Sequence, residues 1–445
     1  MKEEKKKVLE AIVRAGIQAV APEMALKAHV KRKDSRLIIS DTVYDLAQFD
    51  RVFIAGVGKA AAPMARALED ILEEWLTGGW IVVKYGHGMT LQKTSIFEAG
   101  HPIPDDAGVK AGEYLLERLQ KCTEKDLVLF VVSGGGSALL PAPDPPVDLA
   151  AKQKTTRLLL QCGAGIDEIN AVRKHLSRLK GGRLAVAVYP AALVGLILSD
   201  VVGDRLDVIA SGLTVPDTDT YMDCLEIVGR YGISKKLPPV VMKVLQEGSQ
   251  GKRRETPQQN DPIFRCVQNV IVGNNRTALA ACEKKAAELG YNTLLLTSFL
   301  QGEAKEVAEV VAAIGKEVQT SGRPVCTPAC ILAGGETTVT ITGSGRGGRN
   351  QELALSAAIA LKGWKGIYLL SAGTDGTDGP TDAAGGFADG DTYETARAMG
   401  FNPGNYLGSN DSYTFLEKVG GLWKTGPTRT NVMDLVCMVV EQDYC

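Results

Sequence analysis

Histidine is scarce in this chain of 445 residues, with four in all. His87, His101 and His175 are the internal candidates for chemistry, and His101, directly before Pro102, reads as structural. No Ser/His/Asp set is apparent, which argues against triad hydrolysis. Charge of one sign is also lacking: 50 Lys and Arg stand against 52 Asp and Glu, a net of -2. No whole-molecule field therefore advertises nucleic acid or a membrane surface. Long apolar runs are missing as well. The most apolar stretch, 184–199, is broken by Pro190 and too short to span a bilayer. The first twenty residues form a charged helix start without the apolar core of a signal peptide. Nine cysteines are scattered, and an odd number does not suit a full disulfide framework. Cys326 and Cys330 lie close together without a histidine or second pair, so structural zinc is not expected. Reduced thiols in the cytoplasm are the default.

Glycine is abundant, at 49 residues, and sits in short loops between apolar runs. Strands are predicted at 51–55, 80–84, 97–101, 126–132 and 192–198, with helices from Ala60, over 107–119 and over 169–179. Strand alternating with helix implies a parallel, doubly wound sheet. Composition shifts at Pro238-Pro239 and in the polar run 246–261, read as a linker or surface excursion. A second α/β pattern follows, with strands at 267–272, 293–297, 331–333, 337–342 and 367–372. The boundaries read as 1–240 for a Rossmann-like domain, 241–264 for the polar segment and 265–445 for a second α/β domain.

Ligands of open α/β sheets bind at the carboxyl ends of strands. Those ends carry Lys59, Ser133 to Ser137, Asp200, Glu336, Asp375 and Asp378. Gly56-Val57-Gly58-Lys59-Ala60-Ala61 matches the dinucleotide fingerprint in form, but the next strand ends on Lys84-Tyr85 without the acid a ribose needs. Lys84 leaves an NADP variant open. Lys59 after the glycines reads as an ammonium aimed at an anion. Ser133, Gly134, Gly135, Gly136 and Ser137 can converge backbone N–H groups on phosphate, although a plain tight turn needs such glycines too. No P-loop sequence occurs.

Gly334, Gly335 and Glu336 close an apolar run, and the loop 343–350 brings Arg346 and Arg349 among glycines. Arg349 and Asn350 fall at a helix start, where free N–H groups favour an anion; a mobile hairpin with solvated arginines is the bland alternative. Asp200, Asp375 and Asp378 could serve Mg²⁺ or act as a base, yet an aspartate in a turn is often an Asx cap. Asn410-Asp411-Ser412 and 425–431 are further polar loops. Two anion cradles, a strand-end lysine, a loop arginine and several carboxylates are the parts phosphoryl transfer needs.

The chain resembles the class II glycerate 2-kinase family, whose C-terminal part is the MOFRL domain and whose members are often labelled hydroxypyruvate reductases. The resemblance rests on GVGKAAAPMA (56–65), GHPIPD (100–105), VSGGGSALL (132–140), NAVRKHLSRLKGGRLA (170–185) and LSDVVGD (198–204). AGGETTV (333–339), GRGGRNQELAL (345–355), SAGTDGTDGPTDAAG (371–385) and GPTRTNVMDL (426–435) complete it. It implies two α/β domains, the first with a mostly parallel and the second with a mixed sheet, and an active site in the interdomain cleft. It also implies transfer of the ATP γ-phosphate to the 2-hydroxyl of D-glycerate with Mg²⁺. The family's key lysine and arginine fall on Lys59 and Arg349, expected on opposite walls of that cleft. Asp200 is then metal ligand or base, while Glu336 and Asp375 complete the lining. A monomer or homodimer is expected, with no nucleic acid or membrane partner. The rivals are an NAD(P)-dependent hydroxypyruvate reductase and a non-catalytic sugar-phosphate-binding protein.

Overall fold

The computed structural model describes residues 1–441; residues 442–445, with Cys445 and the end of the expected second domain, lie outside the described residues. The chain divides into two compact units, Ala25–Val272 and Met1–Met24 with Gly273 onward.

In the unit Ala25–Val272 a six-stranded sheet has the order Thr94–Ala99, Gly78–Lys84, Arg51–Val57, Asp126–Val132, Ala192–Leu198, Val267–Gly273. The first five strands pair in parallel. The central ones are near-continuous apolar runs because helices cover both faces of such a sheet. Asp126–Val132 is buried throughout, and its lone acid, Asp126, is held by Arg51 at 2.6 and 2.7 Å. The predicted parallel, doubly wound architecture is what the structure has. A small antiparallel sheet, Val30–Lys33, Arg36–Ile39 and Thr42–Asp45, was not read from the sequence. Its strands are four residues each, too short for a clear period.

The polar segment 241–264, expected as a linker or surface excursion, contains regular structure. Most of the helix Pro239–Ser249 lies in it, and Val241, Val244 and Leu245 of that helix are buried. Beyond the helix, Arg253 pairs with Asp144 at 2.9 Å and Glu255 accepts from His175 at 2.7 Å. Its charges are spent on neighbours, which composition alone does not reveal.

The second unit has a mixed sheet in the order Asn292–Leu300, Ala329–Gly335, Asp434–Val440, Ile367–Gly373, Gly385–Asp389, Leu422–Trp423. Only the first pair is parallel. The leading helix, Glu3–Ala19, belongs to this unit and lies against Asn275–Glu288. Gly16 allows the close approach, since a Cβ there would fall 2.8 Å from the Ala278 carbonyl oxygen. The boundary expected near 240–265 thus stands beside a division after Val272, with the first helix on the far side of it.

The strand expected over 337–342 is absent. Regular pairing stops at Gly335, and Glu303 takes up the segment instead: its carboxylate accepts from Thr338 Oγ1, Thr340 N and Thr340 Oγ1 at 2.9–3.2 Å. A β-branched run has strand propensity, but here a side chain answers the backbone.

Candidate active site

Two glycine loops lie side by side at the carboxyl ends of the strands Arg51–Val57 and Asp126–Val132. They use their N–H groups in opposite ways. In the first, Gly58 N donates to Val82 O at 3.0 Å, Lys59 N to Gly134 O at 2.9 Å and Ala60 N to Ser133 Oγ at 2.9 Å. The donors a pyrophosphate would require are therefore consumed inside the protein. Gly56 and Gly58 are glycines for packing: a Cβ would fall 2.2 Å from Val131 Cγ2 and from Ser133 Oγ respectively. Their expected cofactor-binding role gives way to close strand approach.

The second loop leaves its donors open. Among the described residues, the N–H groups of Gly134, Gly135, Gly136 and Ser137 make no hydrogen bond, and Gly134 and Gly136 are buried. Successive unpaired N–H groups in so enclosed a place favour an anion. Gly135 has φ +86, and a Cβ there would meet His101 Cδ2 at 2.8 Å. Lys59 leads out of the adjacent loop, and no carboxylate pairs with its ammonium among the described residues. His87 Nδ1 is 3.2 Å from Lys59 O. Burial, with the charges of Lys59, Lys84 and His87, lowers His101 to about 4, so its ring is neutral at physiological pH.

Beneath this loop lies a polar cluster that sequence reasoning missed. Lys180, 1% exposed, donates to Ser137 O at 2.8 Å and to Ser137 Oγ at 3.0 Å. Ser137 Oγ meets Ser211 Oγ at 2.9 Å, and Ser211 donates to Asn170 Oδ1 at 3.2 Å. Asn170 and Lys180 sit in the stretch 170–185 that carried the resemblance, which was the available signal. Asp200 follows the strand Ala192–Leu198, half-buried at the same end of the sheet. His175 is structural: its ring joins Ala171 O and Glu255.

In the other unit, Arg349 opens the helix Arg349–Ala360. Its guanidinium forks onto Asp434 at 2.6 and 3.0 Å and reaches Glu336 at 2.7 Å. Asp434 begins the antiparallel strand between the ends of two others, in register with Gly335 and Gly373. Burial pushes Asp434 up to about 6 although Arg349 opposes the shift. Arg349 is thus an ion-paired residue and differs from the open guanidinium the sequence suggested. Nothing local in the sequence tied it to Asp434, 85 residues away.

The helix start expected to hold a ligand anion has an internal one. Asp378 accepts from Asn350 N, Asn350 Nδ2, Gln351 N and Gln351 Nε2 at 2.9–3.3 Å. It is buried, and burial raises its pKa. It caps the helix, so its carboxylate is committed before any metal arrives. Asn350 Oδ1 is also taken, by Ser371 at 2.7 Å. Asp375 Oδ1 makes an Asx turn with Thr377 N and Oγ1, both at 3.1 Å.

Gly334 and Gly335 likewise serve packing, with Cβ positions 2.1 Å from Asn275 Oδ1 and 2.2 Å from Leu300 O. The loop 343–348 is braced. Gly343 N and Arg346 N donate to Asn410 and Asp411 side chains, and Arg346 stacks on Tyr413 at 4.0 Å. Its glycines permit contact, since Cβ atoms at Gly345 and Gly347 would strike Asp411 and Ser412. No group of three or more His, Cys, Asp or Glu arranged to hold a metal occurs among the described residues. No helix among them is long and apolar enough to cross a membrane.

A parallel α/β unit with open N–H groups at its strand ends, joined to a mixed-sheet unit with a paired arginine, makes this a two-unit α/β protein. Residues 8–246 match the family described as a domain of unknown function, DUF4147, and residues 329–434 match the MOFRL family. A D-glycerate 2-kinase of Thermotoga maritima is 45% identical over 432 residues, 97% of each chain. A glycerate 2-kinase of Pyrococcus horikoshii is 41% identical over 430 residues, 96% of each. The crystal structure of the Thermotoga maritima glycerate kinase superposes with a TM-score of 0.88 at 44% identity, covering 99% of this chain and all of the other. The chain belongs to the class II glycerate 2-kinase family.

Proposed function

We propose that this protein is an ATP-dependent kinase that phosphorylates the 2-hydroxyl of D-glycerate, giving 2-phosphoglycerate and ADP. The observation that carries this reading is the run of N–H groups at Gly134–Ser137 and the Lys59 ammonium beside it, unpaired among the described residues. Full-length likeness to proteins named D-glycerate 2-kinase and glycerate 2-kinase supports it. Phosphoryl transfer asks the protein for positioning and for neutralisation of the charge on the moving group. Lys59 supplies one cation. In the other unit Arg349 is a candidate cation for an anionic ligand: Asp434 keeps its guanidinium aimed, and its bond to Glu336 is the one an anion would exchange.

Mg²⁺ needs only one or two carboxylates when phosphate oxygens complete its shell. Asp200 at the strand end suits that role or that of base, and Asp375 is the candidate carboxylate of the other unit; Asp378 does not suit it, being spent on the helix cap. When bound, the ion would neutralise the phosphates. Against a reductase stands the first glycine loop, whose N–H groups are all satisfied internally.

The test is incubation with ATP, Mg²⁺ and D-glycerate, read by a method that separates 2- from 3-phosphoglycerate. Formation of the 2-isomer is expected. NAD(P)H oxidation by hydroxypyruvate without phosphorylation would overturn the kinase. Tight ligand binding without turnover would mark a non-catalytic binder.

A further inference from the structure

The parallel-sheet unit holds several buried or half-buried cations, and most of those around the stretch 141–183 have answered donors. Lys152 donates to the carbonyls of Pro141, Arg173 and Leu176. Lys174 pairs with Asp217 at 2.8 Å and Asp219 at 3.3 Å. Arg183 reaches Ser177 O and Tyr221 OH. Two are exceptions, Arg178 just beyond the helix Ile166–His175 and, within that helix and on the same face as Asn170, Arg173. Its half-buried guanidinium makes no hydrogen bond or ion pair among the described residues. Five N–H donors left idle in a partly closed place call for an acceptor from outside the chain.

Arg173 lies one turn from Asn170 on the helix Ile166–His175, so the two share a face. The Asn170 amide nitrogen makes no hydrogen bond among the described residues, although its Oδ1 is engaged by Ser211. Arg173 is near enough to Lys180 for their charges to interact, and Lys180 has a third ammonium hydrogen beyond its two bonds to Ser137. We infer that Arg173, Lys180, Asn170 and Ser137 form the subsite for the carboxylate of the hydroxy-acid substrate. This rests on the kinase reading for the identity of the acid.

Size and charge favour a carboxylate over a nucleotide triphosphate. Lys180, Asn170 and Ser211 are 1%, 4% and 0% exposed, a setting too closed for a triphosphate. A guanidinium fork matches a carboxylate in two parallel bonds. The electrostatics agree: burial and the charges of Lys152 and Arg173 push Lys180 well below the ordinary lysine value, and no carboxylate counters them. A bound anion would favour its charged form.

The experiment is calorimetric titration of the full chain with D-glycerate and, separately, with ATP, for wild type, Arg173→Met, Arg173→Lys and Lys180→Met. Circular dichroism confirms that each variant is folded. Arg173→Met is expected to weaken D-glycerate about ten- to a hundredfold, the value of a charge-assisted bond, and to leave ATP within about twofold. Arg173→Lys recovers part of the loss, and steady-state KM for D-glycerate rises while that for ATP holds. If Arg173→Met does not fold, Arg173→Lys carries the test and must still weaken D-glycerate alone. Equal loss of ATP affinity would overturn the assignment, as would unchanged D-glycerate affinity or a wild type that binds no D-glycerate. Wild type that binds D-glycerate through Arg173 yet forms no phosphoglycerate would sink the kinase reading and leave the subsite standing.

Discussion

Arg349 and Asp434 form a two-bond fork, Nε to Oδ2 at 2.6 Å and Nη2 to Oδ1 at 3.0 Å, at the point where one helix and one strand begin. The pair fixes where the guanidinium points, and it makes Arg349 a stability residue as well as a candidate for catalysis. Truncating one partner of a buried pair strands the other charge. Arg349→Ala is expected to cost about 3 kcal/mol, and adding Asp434→Asn to return part of it, because the stranded charge is then gone. Denaturant unfolding of both variants tests this; equal stability of the two would show that Asp434 does not need its partner.

Lys59 should behave differently. With no carboxylate on its ammonium among the described residues, Lys59→Ala is expected to leave the melting temperature nearly unchanged. Turnover should fall by about a hundredfold or more, as for loss of a charge-stabilising donor. A folded variant with near-normal kcat would remove Lys59 from the reaction.

Asp378 separates capping from metal binding. Asp378→Ala leaves Asn350 N and Gln351 N without their acceptor and should cost about 2 kcal/mol. The Mg²⁺ requirement of the residual activity should not move, whereas Asp200→Asn should raise it. A Mg²⁺ shift confined to the Asp378 variant would reverse these roles.

His101 gives a pH signature. Its folded pKa is lowered, chiefly by burial, from 6.5 to about 4. Between those values the unfolded chain binds a proton that the native one refuses, so the contribution of His101 is full above pH 6.5 and lost as pH falls toward 4. Melting temperature should drop through that window less steeply in His101→Gln than in wild type. Parallel pH curves would place the acid sensitivity elsewhere.

Gly135 carries a conformational test. At φ +86, with His101 Cδ2 2.8 Å from any Cβ, Gly135→Ala is strained twice over. The expected result is a folded protein with the cradle displaced: about 1–3 kcal/mol less stable and with strongly reduced turnover. Full activity in this variant would mean the loop does not hold the reacting anion.

The sequence alone determined the parallel sheet, because runs such as Asp126–Val132 are apolar throughout and end on glycine, and period and punctuation are local properties. It also marked Lys59 and the Ser133–Ser137 loop, since both follow directly from a strand end. Tertiary structure decided which glycine loop is open, because hydrogen bonds from Lys59 N and Ala60 N close one of them against the other. Only the fold could assign Asp378 to a helix start 28 residues earlier, Asp434 to Arg349, and the leading helix to the second unit. Those assignments depend on which distant backbone donors and charges need an answer, and no local pattern encodes that.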